Sequence, residues 1–149
     1  MNELLSYIEN VTGLANACIS RQLSDAPTHD RWLLDTSAGA MVLTIDKPLA
    51  SQLLLTRVGQ SKILDLTAMA DAGPAPVFAN IGRGISLVHY LAGESLQADQ
   101  LGEPENLIRL AHLLRRVHEI NIAGMGPSIS LQARIRNYAS LINSETGAV

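Results

Sequence analysis

Met41-Val-Leu-Thr-Ile-Asp46 is a short apolar run broken once, at Thr44. Turn residues bound it, Ser37-Ala-Gly39 before and Lys47-Pro48 after. In a strand, side chains alternate between faces, so Val42, Thr44 and Asp46 share one side and Met41, Leu43 and Ile45 the other. Upstream, Arg31-Trp-Leu-Leu-Asp35 is a second strand-like run, and the two read as a hairpin across the 37–39 turn. The pattern predicts that the 41–46 strand is the middle of a small antiparallel sheet. Its one polar, sheet-centre residue, Thr44, is then the residue whose reach matters.

Working outward, residues 2–10 carry Leu4, Leu5 and Ile8 at helical spacing. A turn at Gly13 and a strand over 17–23 follow, and residues 24–30, with Pro27, read as a loop. Residues 49–72 are helical in length and spacing. Gly59 near the middle costs about 1 kcal/mol relative to alanine, so the stretch is one helix with a weak point or a loop leading into a shorter helix from about residue 56. Gly73-Pro74 stops it. Strands are expected over 76–80 and 85–91, joined by a tight turn at Gly82-Arg-Gly84. Pro104 opens a helix to about residue 120, with Leu107, Leu110, Ala111, Leu114 and Val117 as its buried stripe and Leu113 beside it. A glycine-rich link, 124–127, precedes a last helix over 128–142. The expected class is α+β: one antiparallel sheet of five strands, a long helix on one face, and a C-terminal helical segment.

The composition limits what such a chain does. At 149 residues it suits one domain or two very small lobes. The net charge is −3 and the eleven basic residues are scattered, which argues against nucleic acid as a partner. With 3% aromatic residues the core must be aliphatic. Cys18, the single cysteine, excludes an internal disulfide and any cysteine zinc site, and reads as a small core residue. No apolar run approaches the ~20 residues of a membrane span, and residues 1–5 lack the features of a signal peptide, so a cytoplasmic protein without a membrane partner is expected. His112 and His118 lie six apart on one helix, a spacing that does not share a metal. There is no Walker-type phosphate loop, no G-x-G-x-x-G, no G-x-S-x-G and no H-E-x-x-H.

The order of elements and several local motifs resemble the aminoglycoside phosphotransferase and choline/thiamine kinase superfamily, which has a protein-kinase-like fold. Thr12-Gly-Leu-Ala-Asn16 is similar to that family's turn over the nucleotide phosphates. Residues 32–46 resemble its paired strands, and Gly73-Pro-Ala-Pro76 the turn before its fourth strand. Leu87-Val-His-Tyr-Leu-Ala-Gly93 resembles its hinge, and Leu113-Leu-Arg-Arg-Val-His118 one of its helices. The likeness covers about residues 14–120. It implies a nucleotide-binding N-terminal lobe over 1–93, and over 94–149 a linker and helices leading to a second lobe. It also implies a small-molecule phosphotransferase that moves the terminal phosphate of ATP to an alcohol such as choline, thiamine or an aminoglycoside.

The resemblance assigns Gly13 and Asn16 to the phosphate loop. It gives the adenine edge to the main chain of Val88, His89, Tyr90 and Leu91, and the position of the strand cation and its helix partner to Thr44 and Gln60. In the family those last two are a basic residue and a glutamate, which hold and position the phosphates. A neutral Thr44/Gln60 pair is self-consistent, since neither member leaves an unpaired buried charge. Each residue also has a plainer reading, Thr44 as an ordinary strand threonine and Gln60 as a solvated helix residue. Lys47 sits beyond the strand end and is a poor substitute for the missing cation. The family's catalytic aspartate and metal-binding acids have no counterpart after His118, where Glu119 and Glu145 are the only carboxylates. No catalytic or metal-binding residue is therefore assigned. ATP is the expected cofactor, with magnesium only where a second lobe is supplied. The alternative is a non-catalytic, pseudokinase-type binding or regulatory module. Either way an apolar face near 107–117 or the hinge is expected, suited to association.

Overall fold

The computed structural model describes residues 1–52 and 57–122, then 132, 135, 136 and 138–140; of 51, 52 and 57–60 it describes the backbone alone. Five strands form one antiparallel sheet: β1 (Cys18–Asp25), β2 (His29–Thr36), β3 (Gly39–Asp46), β4 (Pro76–Asn80) and β5 (Ile85–His89). Their order is β1-β2-β3-β5-β4, with β3 at the centre as its apolar pattern predicts. The helices are α1 (Asn2–Thr12), α2 (Pro48–Gln52), α3 (Arg57–Met69) and α4 (Pro104–His118). The α+β class and the five-stranded antiparallel sheet are thus observed.

Alternation along β3 decides which face becomes the core. Met41 and Leu43 are fully buried with Leu34 of β2, Leu87 of β5 and Ile8 of α1. Burying side chains of this kind contributes roughly 1.5–3 kcal/mol each. The cover on this face is therefore the short N-terminal helix α1, while α3, from the long 49–72 stretch, lies on the other face. Leu4, Leu5 and Tyr7 of α1 pack against the same cluster. Asn80 donates to the Tyr7 hydroxyl at 2.7 Å, and the Arg83 guanidinium lies 4.2 Å from the centre of the Tyr7 ring.

The local chemistry explains the boundaries. Gly13, with φ 72°, caps α1 and its N–H donates to the Glu9 carbonyl at 2.9 Å. The Glu9 carboxylate then accepts from the Ala17 N–H at 2.8 Å, tying the helix to the start of β1. The loop expected over 24–30 shrinks to 26–28, because Asp25 and Asp30 pair directly across a β1–β2 hairpin. Two carboxylates so opposed repel, and the Lys47 ammonium bridges them: it pairs with Asp25 and lies 3.1 Å from Asp30. Strand β5 stops at His89, two residues before the expected end. The Tyr90 N–H reaches the Ala40 carbonyl, and β3 begins at Gly39, so Leu91 has no strand partner left.

Two other expectations meet a different outcome. Cys18 is exposed at the first residue of β1 and is not a core side chain. The apolar stripe of α4 is not buried: Leu107 is 49% and Leu114 46% exposed. Among the described elements its main neighbour is the single turn Asp99–Gly102, too small to cover a stripe. Of the last expected helix, residues 132, 135, 136 and 138–140 are helical, and the rest of 128–142, like the link 124–127, lies outside the described residues. No helix among the described residues is long and apolar enough to cross a membrane.

Candidate functional site

The other face of the sheet holds a cleft of about 520 Å³, within the ~300–1,000 Å³ usual for small-molecule sites. Alternation builds its floor. Val42 and Thr44 of β3 point here because Met41 and Leu43 point into the core. Register brings their partners to the same face: Val88 opposite Val42, and Ser86 opposite Thr44, both from β5. On the other flank, β2 contributes His29 and Arg31, with Arg31 opposite Thr44. Ile63 and Leu64 of α3 and Pro74 form the far wall. His89, Tyr90 and Leu91, where the chain leaves β5, complete the rim.

The cleft divides into an apolar part and a polar row. Val42, Val88, Ile63, Leu64 and Leu91 suit a flat, weakly polar group. Arg31, Thr44 and Ser86 run across three adjacent strands as a row of hydrogen-bonding side chains. At the rim the backbone is partly committed. The His89 N–H donates to the Ala75 carbonyl and the Tyr90 N–H to the Ala40 carbonyl, each at 3.0 Å. The Leu91 N–H makes no hydrogen bond among the described residues, so of the donors from 89 to 91 it alone is open to a ligand there. Carbonyl oxygens, with two lone pairs each, keep acceptor capacity.

Of the residues singled out in the sequence, the structure brings Thr44, Val88, His89, Tyr90 and Leu91 together in this cleft. Gly13 and Asn16 do not line it. They sit in the link between α1 and β1, where Asn16 has φ 57°, the Ala15 carbonyl accepts from the Ser37 N–H of the β2–β3 turn, and the Ala15 N–H donates to the Ser37 hydroxyl. Edge strand β1 is three ladder steps from β5, on the order of 14 Å at the usual strand spacing. Gln60 lies in α3, and its side chain falls outside the described residues. Lys47 is held by Asp25 and Asp30 and is not among the lining residues. These carboxylates raise the Lys47 pKa, and the ammonium lowers that of Asp25.

The sequence reading passes over His29, Arg31 and Ser86. The signal for Arg31 was present. A hairpin whose strands close at Thr36 and Gly39 pairs Arg31 with Thr44 by simple register. Among the described residues no group of three or more His, Cys, Asp or Glu side chains is placed to hold a metal ion. Neither a protein-family model nor a curated protein matches the chain. The geometry of the cleft is therefore what carries a functional reading.

Proposed function

We propose that this chain is a nucleotide-binding module like the N-terminal lobe of small-molecule kinases of the aminoglycoside phosphotransferase and choline/thiamine kinase superfamily. It takes ATP or ADP in the sheet-face cleft and does not transfer phosphate by itself. The observation that supports this most is the pairing, in one cleft, of an apolar slot beside the Leu91 N–H with the polar row Arg31, Thr44 and Ser86. A purine needs an apolar slot with backbone hydrogen bonds at its edge, and its phosphates need polar donors further along. The residues that line the cleft fit the nucleotide by their chemistry.

A second reading, a binding or regulatory module without chemistry, is favoured by one specific feature: the central strand carries the neutral Thr44 where a kinase of this kind holds its cation. The first reading requires nucleotide to bind. A thermal-shift titration with ATP, with and without magnesium, tests that requirement. A ligand that binds only the folded state stabilises it by RT ln(1 + [L]/Kd), so millimolar ATP raises the melting temperature if the reading holds. No rise with ATP, ADP or adenosine would remove it.

A further inference from the structure

The absence of a cation on β3 looks at first like the loss of phosphate binding. The ladder shows another source of charge. Arg31 on β2 stands directly opposite Thr44, and Thr44 directly opposite Ser86 on β5. Directly opposed residues share a face, with Cβ atoms about 4.5–5.5 Å apart. All three line the cleft. The Arg31 side chain makes no hydrogen bond or ion pair among the described residues, whereas Lys47, Arg109, Arg115 and Arg116 are each paired with carboxylates and Arg83 lies over Tyr7. The Thr44 and Ser86 hydroxyls are likewise uncommitted among the described residues, although Ser86 is buried. A guanidinium and two hydroxyls that bond to no other described side chain, side by side on the floor of a cleft, are a donor set for a tetrahedral anion.

We infer that the row Arg31–Thr44–Ser86 is a phosphate subsite, in which Arg31 supplies from the neighbouring strand the charge that the central strand lacks. This rests on the nucleotide reading for the identity of the ligand, but the subsite is defined by its own residues. A guanidinium is well suited to the place. It spans two phosphate oxygens through parallel N–H groups, and its long side chain covers the distance from β2 to a ligand lying over β3. The hydroxyls bond the remaining oxygens without adding charge. The neutral Thr44 is then compatible with phosphate binding, because the cation has moved one strand along.

Calorimetric titration with adenosine, ADP and pyrophosphate, on the wild type, Arg31→Gln, Thr44→Val and Arg21→Gln, tests this. Arg21 is an exposed arginine of β1 outside the cleft and serves as the charge control. Arg31 is itself exposed, so its replacement leaves the core intact. The expected result is that ADP and pyrophosphate bind at least about tenfold more weakly to Arg31→Gln, in line with a charged hydrogen bond removed. Thr44→Val weakens both ligands in the same direction, adenosine binding is unchanged, and Arg21→Gln matches the wild type. If ADP binds Arg31→Gln as it binds Arg21→Gln while adenosine still binds, the subsite is refuted and the purine reading stands. If pyrophosphate binds the wild type and is lost in Arg31→Gln while adenosine never binds, the subsite stands and the purine reading fails. No binding of any of the three to the wild type overturns both.

Discussion

Arg31 and Thr44 face each other across the β2–β3 ladder, on the side of the sheet turned away from the core. The same alternation that buries Leu43 against Leu34 and Leu87 leaves Thr44 in the cleft. One strand thus turns Met41 and Leu43 to the core and Val42 and Thr44 to the cleft, and the two faces are separable by mutation.

Leu43 is fully buried in the cluster beneath α1. Leu43→Ala is expected to destabilise the chain by about 2–5 kcal/mol, measured by urea unfolding, since it leaves a cavity between strand and helix. Leu114→Ala, on the exposed stripe of α4, is expected to change stability by no more than about 0.5 kcal/mol. Equal effects would mean that the core is not where the alternation of β3 puts it.

Gly84 closes the turn into β5 with φ 62°, and a Cβ there would lie 2.7 Å from the Cβ of Asp46. Gly84→Ala therefore meets both a left-handed backbone and a backbone-anchored neighbour, and is expected to cost roughly 1–3 kcal/mol. Gly82→Ala, two residues earlier, meets only the Asn80 side-chain oxygen at an ordinary 3.6 Å and is expected to be nearly neutral. Thermal unfolding of the two variants distinguishes them.

Much of this fold was legible in the sequence. The hairpin around residues 37–39, the central place of β3 and the Gly84 turn follow from alternation and turn chemistry, which are local. The Arg31–Thr44 pair follows from register alone once the hairpin is drawn, whereas Ser86 and Val88 reach the cleft floor through the non-consecutive β3–β5 pairing. Other features depend on what packs where. That α1 rather than α3 covers the core is settled by the fit of Ile8 among Leu34, Met41 and Leu87, which no local pattern encodes. The stripe of α4 has the spacing of a buried face, but spacing does not say whether a partner element is there to cover it. The hydrogen bonds that occupy the His89 and Tyr90 N–H groups come from Ala75 and Ala40, residues distant in sequence.

The Lys47 bridge gives the chain a pH signature. The hydrogen bond and charge of Lys47 hold the Asp25 carboxyl below its ordinary 3.8, so its contribution is present above that value and is lost as pH falls through the lowered one. The carboxylates hold Lys47 above its ordinary 10.5, so its contribution is present below that value and lost as pH rises through the raised one. In Lys47→Met, Asp25 and Asp30 are left facing each other, and acid relieves their repulsion. The stability gap between wild type and Lys47→Met, read as the difference in urea midpoints, is expected to be larger at about pH 7 than at about pH 3. A gap that widens in acid would contradict the bridge.

Phosphoryl transfer requires a group to orient the acceptor and a metal to offset charge. No described cluster of acids supplies the metal site, and Glu145 is the sole carboxylate after Glu119. The purified chain with ATP and magnesium is expected to phosphorylate choline, thiamine or an aminoglycoside no faster than a no-protein control, in a coupled assay of ADP release. Turnover above that control would show that the residues named here are not the whole of the chemistry.

The central claim is that the face of the sheet bearing Thr44 and Val88 binds a nucleotide. Amide chemical-shift mapping with ADP tests it most directly, because it locates the ligand as well as detecting it. The account predicts the largest perturbations at Arg31, Val42, Thr44, Ser86, Val88 and Leu91, with little at Gly13, Asn16 or α4. Saturable shifts elsewhere, or none at millimolar ADP, would contradict it.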